Sequence, residues 1–375
     1  MIPIPSTSTD VFVIGGGPGG LAAAIAARQK GFDVIVADGM EPPIDKACGE
    51  GLLPDGVAAL ERLGIELSSS DARPFSGIRF LSATQSADAP FAPPGCGLSI
   101  RRTQLHRVIL GRAEQVGVKF MWHTPVTGIS PEGVRLANRT VRARWIIGAD
   151  GANSRVRRWS GLDHGPRPRI RYAFRQHFQI APWTDHMEVY WGRECQGYAT
   201  AVGGDQVCVA LASRDPGLRL EEGLMLLPRL RQRLGVAKSV SSERGALTGN
   251  RQLDRVWRDN VALIGDASGT VDAITGEGLG LAFSQAVALA AGLATGNLDQ
   301  YQREHRSLAM RPLWMARFML NLDRRPWLQE RTLRVFQTRP RIFRRLVAMH
   351  TGVLPPLHAV KDGLALGWGL LTSST

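Results

Sequence analysis

The sequence predicts an α/β protein with three regions: a domain built on a parallel sheet, a second domain built on a mainly antiparallel sheet, and a basic helical C-terminal region. A strand, glycine-rich turn, helix and second strand follow one another at the start of the chain. A run of strands without intervening helices lies in its middle. With 375 residues, 44% of them hydrophobic, the chain is long enough for about two cores.

The opening unit ends at Asp38. Residues 11–14 form an apolar, β-branched run that predicts a buried parallel strand. Small residues at 21–30 predict a helix, and residues 34–37 predict the next strand, so the spacing is that of a β-α-β unit. Asp38 follows the second strand, where an acid can accept hydrogen bonds from a ribose diol.

The turn of this unit carries a dinucleotide motif. Gly15, Gly17 and Gly20 match G-x-G-x-x-G, with Pro18 and Gly19 between them. The first glycine allows a tight turn, the second lets the backbone approach a pyrophosphate, and the third lets helix and strand touch. The N–H groups at the helix start favour a diphosphate. The unit therefore predicts a dinucleotide site, with a glycine-rich structural turn as the alternative.

The remaining predicted elements follow this unit in chain order. They are helix 56–63, strand 77–81, a proline-rich loop at 89–97, helix 102–113, strands 118–122, 126–129 and 145–147, strands 174–180, 186–191, 198–202 and 206–212, helix 218–234, strand 261–264, helix 281–295, an arginine-rich helix over 301–349, and a tail from Gly352 whose glycines and prolines disfavour a helix. They divide the chain into a first domain at 1–75, 98–165 and 250–300, a β-sheet domain at 76–97 and 166–249, and a helical region at 301–375.

The cysteines and the termini bear on compartment. Residues 1–10 lack the basic segment of a signal peptide, and no uninterrupted apolar run approaches the length of a membrane span. The four cysteines, Cys48, Cys96, Cys195 and Cys208, are widely spaced and form no C-x-x-C pattern. We therefore expect reduced thiols, no metal site and a cytoplasmic protein.

The positive charge is concentrated near the C-terminus. The formal net charge is +13, and residues 303–345 hold twelve arginines against three acids. No helix-turn-helix, RNA-binding or zinc-finger pattern accompanies them, so we expect no nucleic-acid partner. A solvated helical face, an anionic membrane surface, and a phosphate-bearing partner such as an acyl carrier remain open as readings of this charge.

Two later strands also end in glycine and an acid. Strand 145–147 leads into Gly148-Ala149-Asp150-Gly151, and strand 261–264 leads into Gly265-Asp266. Two further stretches are glycine-rich, 46–51 (KACGEG) and 275–280 (TGEGLG). We expect these separate loops to meet at the carboxyl ends of neighbouring strands.

Taken together and in this order, these motifs resemble the flavoprotein monooxygenase and geranylgeranyl reductase superfamily, whose fold is similar to that of p-hydroxybenzoate hydroxylase. The resemblance runs from about residue 10 to residue 294. It implies a Rossmann-like FAD-binding domain with an inserted antiparallel substrate domain, FAD as the bound nucleotide, and NADH or NADPH as electron donor. The cofactor contacts that it implies are Gly15, Gly17, Pro18, Gly19, Gly20, Asp38, Lys46, Cys48, Gly49, Arg102, Val126, Asp150, Gly151, Asp266, Gly276, Gly278, Leu279 and Gly280.

Several of these positions have specific roles in the family. By resemblance, Arg102 reaches the FAD phosphates, with Arg101 as the competing candidate, and Val126 contacts the adenine edge. Asp150-Gly151 matches a motif associated with FAD and nicotinamide use. Asp266 matches the acid that binds the diphosphate and ribityl chain. The glycines at 276–280 bring a helix N-terminus to the isoalloxazine ring, where its dipole stabilises the reduced anion.

Within the superfamily, the glycine-rich loops are closer to the geranylgeranyl reductase branch. This holds for 46–51 and for 265–269 with 275–278. Hydroxylases usually carry histidine and proline after the Gly-Asp pair, and Ser268 departs from that form. Residues 49–54 are related to a halogenase motif, but the halogenase W-x-W-x-I-P signature is missing, so halogenation is not expected.

Two residues of the first glycine-rich loop are catalytic candidates. Cys48 is either a reactive thiol or a small packed side chain, and Glu50 is either a proton donor or the cap of the helix that follows it. The aromatic residues of the sheet domain either contact substrate or belong to the core; these are His177, Tyr190, Trp191 and Tyr198.

The resemblance and these residues lead to three hypotheses. The first is an FAD-dependent monooxygenase that hydroxylates an apolar aromatic, phenolic or polyketide-derived molecule with NAD(P)H and O2. The second is a reductase of isoprenoid double bonds, supported mainly by residues 48–51. The third is a flavoprotein docked at a membrane surface or on a partner through the arginine-rich C-terminal region.

Overall fold

The computed structural model describes residues 8–93, 95–165 and 169–354. Its strands are β1 (Ser8–Ile14), β2 (Val34–Ala37), β3 (Gly51–Leu52), β4 (Arg73–Phe75), β5 (Gly77–Leu81), β6 (Ser86–Pro90), β7 (Gly97–Ser99), β8 (Lys119–Met121), β9 (Gly128–Ser130), β10 (Gly133–Arg135), β11 (Thr140–Gly148), β12 (Arg171–Gln179), β13 (His186–Trp191), β14 (Cys195–Val202), β15 (Gln206–Ser213), β16 (Lys238–Ser239), β17 (Arg244–Thr248), β18 (Trp257–Arg258) and β19 (Val261–Leu263). Its α-helices are α1 (Pro18–Gln29), α2 (Pro54–Arg62), α3 (Arg102–Gln115), α4 (Arg155–Trp159), α5 (Leu220–Met225), α6 (Pro228–Leu234), α7 (Gly278–Thr295), α8 (Leu298–Asp323), α9 (Pro326–Thr338) and α10 (Pro340–His350). The expectations for the first seven residues and for the tail beyond Leu354 fall outside the described residues.

The first sheet has the order β18-β19-β11-β1-β2-β8, and all of these strands are parallel except β18. Val11, Phe12 and Val13 of β1 have no exposed surface. Successive side chains of a strand point to opposite faces, so both faces of the sheet are covered at β1. Since β1, β2, β11 and β19 are neighbours running in one direction, the loops that follow them meet at one edge. This confirms the predicted parallel-sheet domain.

Helices α1 and α7 pack closely against each other beneath this edge. By length and composition, α7 is apolar enough to cross a membrane, although half of it is buried inside the protein. It packs on α1, α2 and α8, and a Cβ on Gly280 would lie 2.8 Å from the Cα of Gly56. We therefore interpret α7 as a core helix. The expectation that no apolar segment approaches the length of a membrane span does not hold for residues 278–295.

The second sheet has the order β16-β12-β15-β14-β13-β5-β6, with β17 also paired to β12. Its pairings are antiparallel except that β13 runs parallel to β5. Its strands therefore come from residues 77–90 and 171–248, and part of the loop expected at 89–97 belongs to β6. A small sheet of order β3-β7-β4 takes its strands from residues 51–99.

The predicted arginine-rich helix over 301–349 is three helices. Pro326 and Pro340 begin α9 and α10, because proline is favoured in the first helical turn and disfavours helical geometry in the residue before it. The predicted helix 218–234 is likewise divided into α5 and α6 at Pro228. Phe336 and Phe343 stack at 4.5 Å and pack against the second sheet, so the C-terminal helices form a further layer on it.

Candidate functional site

A cavity of about 580 Å³ lies between the carboxyl edge of the parallel sheet and one face of the antiparallel sheet. The expected cofactor residues in its wall are Gly15, Gly17, Gly19, Asp38, Lys46, Cys48, Gly49, Arg102, Val126, Asp150, Gly151, Asp266, Gly276, Gly278 and Leu279. Three expected cofactor residues do not line it: Pro18, Gly20 and Gly280. The fold therefore brings together residues from distant parts of the chain, between positions 15 and 279.

The glycines of the first loop have different structural roles. Gly15 has a φ of +113°, and a Cβ there would lie 2.4 Å from the carbonyl oxygen of Ala149. A Cβ on Gly20 would lie 1.9 Å from the carbonyl oxygen of Gly15. A Cβ on Gly17 would meet nothing within 4 Å. The fold itself requires glycine at 15 and 20, whereas Gly17 opens space in the cavity wall.

Side chains from other elements hold this loop. The carboxylate of Asp38 accepts hydrogen bonds from the N–H of Gly16 (2.7 Å) and of Met40 (2.8 Å). His106 on α3 is fully buried and donates from Nε2 to the carbonyl oxygen of Gly16 at 2.8 Å. Burial lowers the pKa of His106, which keeps the imidazole neutral. Sequence reasoning assigned no role to His106, because its partner lies 90 residues away.

Asp150 and Arg102 both have polar atoms without partners beside the cavity. Asp150 Oδ2 caps α4 by accepting from the N–H of Arg155 at 2.6 Å and of Val156 at 3.2 Å. In the described part of the chain, Asp150 Oδ1 and Arg102 Nε are buried and have no hydrogen-bond partner. Arg101, the competing candidate, points elsewhere. Its guanidinium group lies 3.2 Å from atoms of Gln206 and His177.

Lys46 and Asp266 form an ion pair within the cavity wall. Lys46 Nζ lies 2.9 Å from Asp266 Oδ2, and both side chains are more than 40% exposed. Such a solvated pair contributes less than about 1 kcal/mol to stability. The two residues are therefore available to a ligand at little cost in folding free energy.

Glu50 is buried and serves as a structural anchor. Its Oε1 accepts from the N–H of Arg102 at 2.9 Å, and its Oε2 accepts from His177 Nε2 at 2.7 Å. Glu50 therefore caps α3, which lies about fifty residues further along the chain, and not α2, which follows it directly. Its backbone has a φ of +61°, a conformation that L residues rarely adopt.

Glu50, His177 and Cys208 offer metal-ligand atoms within 4.8 Å of one another. Two arginines approach the same histidine, since Arg101 and Arg175 lie 3.2 and 3.3 Å from His177 Nδ1. A cation is disfavoured here because Glu50 and His177 are already hydrogen-bonded to each other and two positively charged guanidinium groups lie nearby. We interpret the cluster as a hydrogen-bonded support for the loop at 46–51.

Cys48 is half-buried in the cavity wall. Its Sγ accepts from the N–H of Glu50 at 3.4 Å, and its carbonyl oxygen accepts from Cys208 Sγ at 3.7 Å. Burial raises the pKa of Cys208, so that thiol stays protonated. All four cysteines are free thiols, as the sequence predicted.

Of the four aromatic residues considered in the sheet domain, Tyr198 lines the cavity. Its hydroxyl lies 3.3 Å from Gln196 Oε1 and from the carbonyl oxygen of Ile274. Tyr190 donates to Glu188 Oε2 at 2.5 Å and belongs to the core, as Trp191 does. The wall also contains small and apolar residues that the sequence analysis did not single out: Ala173, Met187, Ala210, Leu211, Ala212, Ala246 and Leu247.

The glycines before α7 are also divided by role. Gly276 has a φ of +70°, and a Cβ on Gly278 would meet nothing within 4 Å. Glu277, between them, is buried away from the cavity. Its carboxylate lies 3.6 Å from Arg311 of α8 and 3.3 Å from His350 of α10, so the C-terminal helices contact this loop.

Comparison with known proteins gives a consistent result. The model of the FAD binding domain family matches residues 8–312. Menaquinone reductase of Mycobacterium tuberculosis is 30% identical over 339 residues, which cover 82% of this chain and 79% of that protein. Digeranylgeranylglycerophospholipid reductase 1 of Methanothermobacter thermautotrophicus is 27% identical over 295 residues, which cover 73% and 74%. The solved structure of PqsL, a probable FAD-dependent monooxygenase from Pseudomonas aeruginosa, aligns with a TM-score of 0.68 at 22% identity, over 91% of this chain and 99% of that one.

Proposed function

The chain belongs to the FAD binding domain family and is an FAD-dependent oxidoreductase, and on that premise we propose that it reduces a carbon–carbon double bond of an apolar isoprenoid lipid. The observation that carries the proposal is a single cavity whose wall joins the dinucleotide loops to an apolar sheet face. Hydroxylation of an apolar aromatic, phenolic or polyketide-derived molecule is the second candidate.

The residues of the cavity fit FAD. The open space at Gly17 leaves room for a diphosphate against the start of α1, where backbone N–H groups favour an anion. Arg102 Nε and Asp150 Oδ1 are buried polar atoms that lack partners in the described residues, and they supply a donor and an acceptor. When bound, FAD supplies the hydride chemistry that no side chain of the protein offers.

The substrate class is supported by the cavity wall and by the relatives. Ala173, Ala210, Ala212 and Ala246 have short side chains, which leave room for a chain-like apolar molecule against the sheet. The two relatives described above are named as reductases of menaquinone and of a digeranylgeranyl glycerophospholipid, and both of these molecules carry isoprenoid chains. These names favour reduction over hydroxylation.

Reduction of a double bond needs one hydride and one proton. The proposed balance is NAD(P)H + H⁺ + alkene giving NAD(P)⁺ + alkane, and FAD, when bound, would supply the hydride chemistry. Glu50 is poorly suited to supply the proton because both of its oxygens already accept hydrogen bonds. Cys48 is a free cysteine that lies half-buried in the wall, so we assign it the role of proton donor.

The test is an anaerobic turnover experiment with purified holoprotein. The flavin is reduced with NADH or NADPH, and prenyl lipids and phenols are then added separately. The proposal predicts that a prenyl lipid reoxidises the flavin without O2 and gains one H2, as measured by mass spectrometry. O2 uptake coupled to hydroxylation of a phenol, with no anaerobic reaction of any prenyl lipid, would instead favour the second candidate.

Two pairs of variants locate the chemistry. Cys48→Ser should slow lipid reduction while leaving flavin reduction by NAD(P)H unchanged, whereas Cys96→Ser, at an exposed thiol, should change neither. Ala210→Leu narrows the cavity wall and should raise KM for long-chain lipids. Ala58→Leu makes the same enlargement on the exposed side of α2 and should have no effect. Equal effects within either pair would contradict the assignment.

A further inference from the structure

One face of α8 is both cationic and apolar. At 100° per residue, positions 303, 306, 307, 310, 314, 317 and 321 of α8 fall within an arc of about 100°, which extends about 27 Å along the helix. The face is taken to include residues 324 and 325, which follow the end of the helix directly. Five of these residues are arginines and none is acidic. Met310 and Trp314 lie in the middle of the face and are 66% and 46% exposed. Trp327, near the start of α9, is 59% exposed.

The arginines of this face are not neutralised by the protein. No carboxylate of the described residues lies within 4.0 Å of the guanidinium groups at 303, 306, 317, 324 and 325. The contacts that they make are to neutral oxygens, for example from Arg306 to the carbonyl of Asp254 at 2.6 Å and from Arg325 to Asn321 Oδ1 at 3.1 Å. The face therefore carries a net positive charge around exposed apolar side chains.

A groove beside the end of this face is mostly charged. Ile170, which is 48% exposed and precedes β12, and Leu320 are its apolar residues, and the rest of its wall is Arg169, Arg171, Arg214, Asn250, Asp272, Asp323 and Arg324. Leu247, on the strand paired with β12, is 50% exposed and lines the cavity.

We propose that this face, defined by the positions above together with Trp327, docks onto an anionic lipid bilayer. Arginine binds lipid phosphates, and tryptophan and methionine enter the headgroup boundary. The phosphates of a nucleic acid would pair with the arginines, but a nucleic acid would leave the side chains of Met310, Trp314 and Trp327 exposed to water. The inference deepens the proposed function, since a lipid substrate has to be taken from a bilayer.

The test is co-sedimentation of the holoprotein, without substrate, with vesicles of phosphatidylcholine alone or mixed with phosphatidylglycerol. Binding should require phosphatidylglycerol and weaken with salt. Arg303→Glu/Arg317→Glu should reduce the partition coefficient about thirtyfold or more, since each basic residue near an anionic surface is worth roughly a factor of five to ten. Trp314→Ser/Trp327→Ser should also weaken binding, and thermal melts establish that each variant is folded.

Matched controls lie on α5 and α6, which pack into a different hydrophobic cluster from α8. Arg231→Glu/Arg233→Glu makes the same charge change on α6, and Met225→Ser removes an equally exposed apolar side chain on α5. Both controls should bind vesicles normally. The proposal would be overturned if the α6 variant lost as much vesicle binding as Arg303→Glu/Arg317→Glu, or if the protein bound neutral vesicles equally well. It would also be overturned if the protein were a dimer that Arg303→Glu/Arg317→Glu dissociates. Turnover of detergent-dispersed substrate is measured separately, so the docking face and the reaction can fail independently.

Discussion

The glycine loop allows the requirements of the ligand to be separated from those of the fold. Gly17 has φ −69° and ψ 172°, which alanine also adopts, and an added Cβ would meet no protein atom within 4 Å. We expect Gly17→Ala to change the free energy of unfolding of the cofactor-free protein by less than about 1 kcal/mol. The methyl group fills the space proposed for the diphosphate. An overpacking cost of about 1–3 kcal/mol would weaken FAD binding roughly 5- to 150-fold.

Gly20→Ala should behave in the opposite way. Its Cβ would stand 1.9 Å from the carbonyl oxygen of Gly15, where real Cβ contacts essentially never fall below 3.0 Å, so the backbone has to move by about 1 Å. We expect a loss of about 3 kcal/mol or more in the free energy of unfolding. Gly111→Ala in α3 is the control, because a Cβ at Gly111, like one at Gly17, would meet no atom within 4 Å. It should lower neither the free energy of unfolding nor the affinity for FAD.

The assays are urea unfolding of the deflavinated protein and titration of the same protein with FAD, followed by flavin fluorescence. Wild-type FAD affinity in Gly17→Ala would refute the placement of the diphosphate at Gly17. If Gly17→Ala destabilised the cofactor-free protein as much as Gly20→Ala, Gly17 would be required by the fold and not by the ligand.

Three further predictions concern polar contacts. Glu50→Ala leaves the N–H of Arg102 and His177 Nε2 without an acceptor, so the free energy of unfolding measured in urea should fall by about 2–5 kcal/mol. Glu50→Gln should retain turnover, and a stable but inactive Glu50→Gln protein would show that Glu50 is catalytic. Burial lowers the pKa of His305 to about 4, so the unfolded chain binds a proton that the folded protein excludes. Stability should therefore fall by up to about 3 kcal/mol as pH drops from about 6.5 to 4, and a His305→Gln variant that keeps the full slope would refute this. Asp266→Ala should weaken FAD binding at least about tenfold with little change in stability. Asp299→Ala, at an exposed acid outside the cavity, should leave FAD binding unchanged. Equal FAD affinity in the two variants would show that Asp266 does not contact FAD.

The sequence by itself determined the parallel-sheet domain and the meeting of its loops. Strand β1, the glycine turn and α1 are specified by residues close together in the chain, whose backbone and burial preferences are local. Once three buried strands each end in glycine and an acid, their convergence follows from the rule that parallel neighbours share a carboxyl edge. The helix boundaries were less predictable. Pro228, Pro326 and Pro340 each begin a helix where the apolar periodicity alone suggested continuity.

Tertiary structure decided what individual side chains do. The partner of Glu50 is His177, 127 residues away, and Gly280 lies where α2 passes so closely that an added Cβ would be 2.8 Å from the Cα of Gly56. Ser268 bonds both the carbonyl of Gly265 and His305 of α8, a role that its place in the motif did not reveal. These assignments depend on which distant segments face each other across a strand pair or a helix crossing. Residue spacing along the chain carries no record of those contacts.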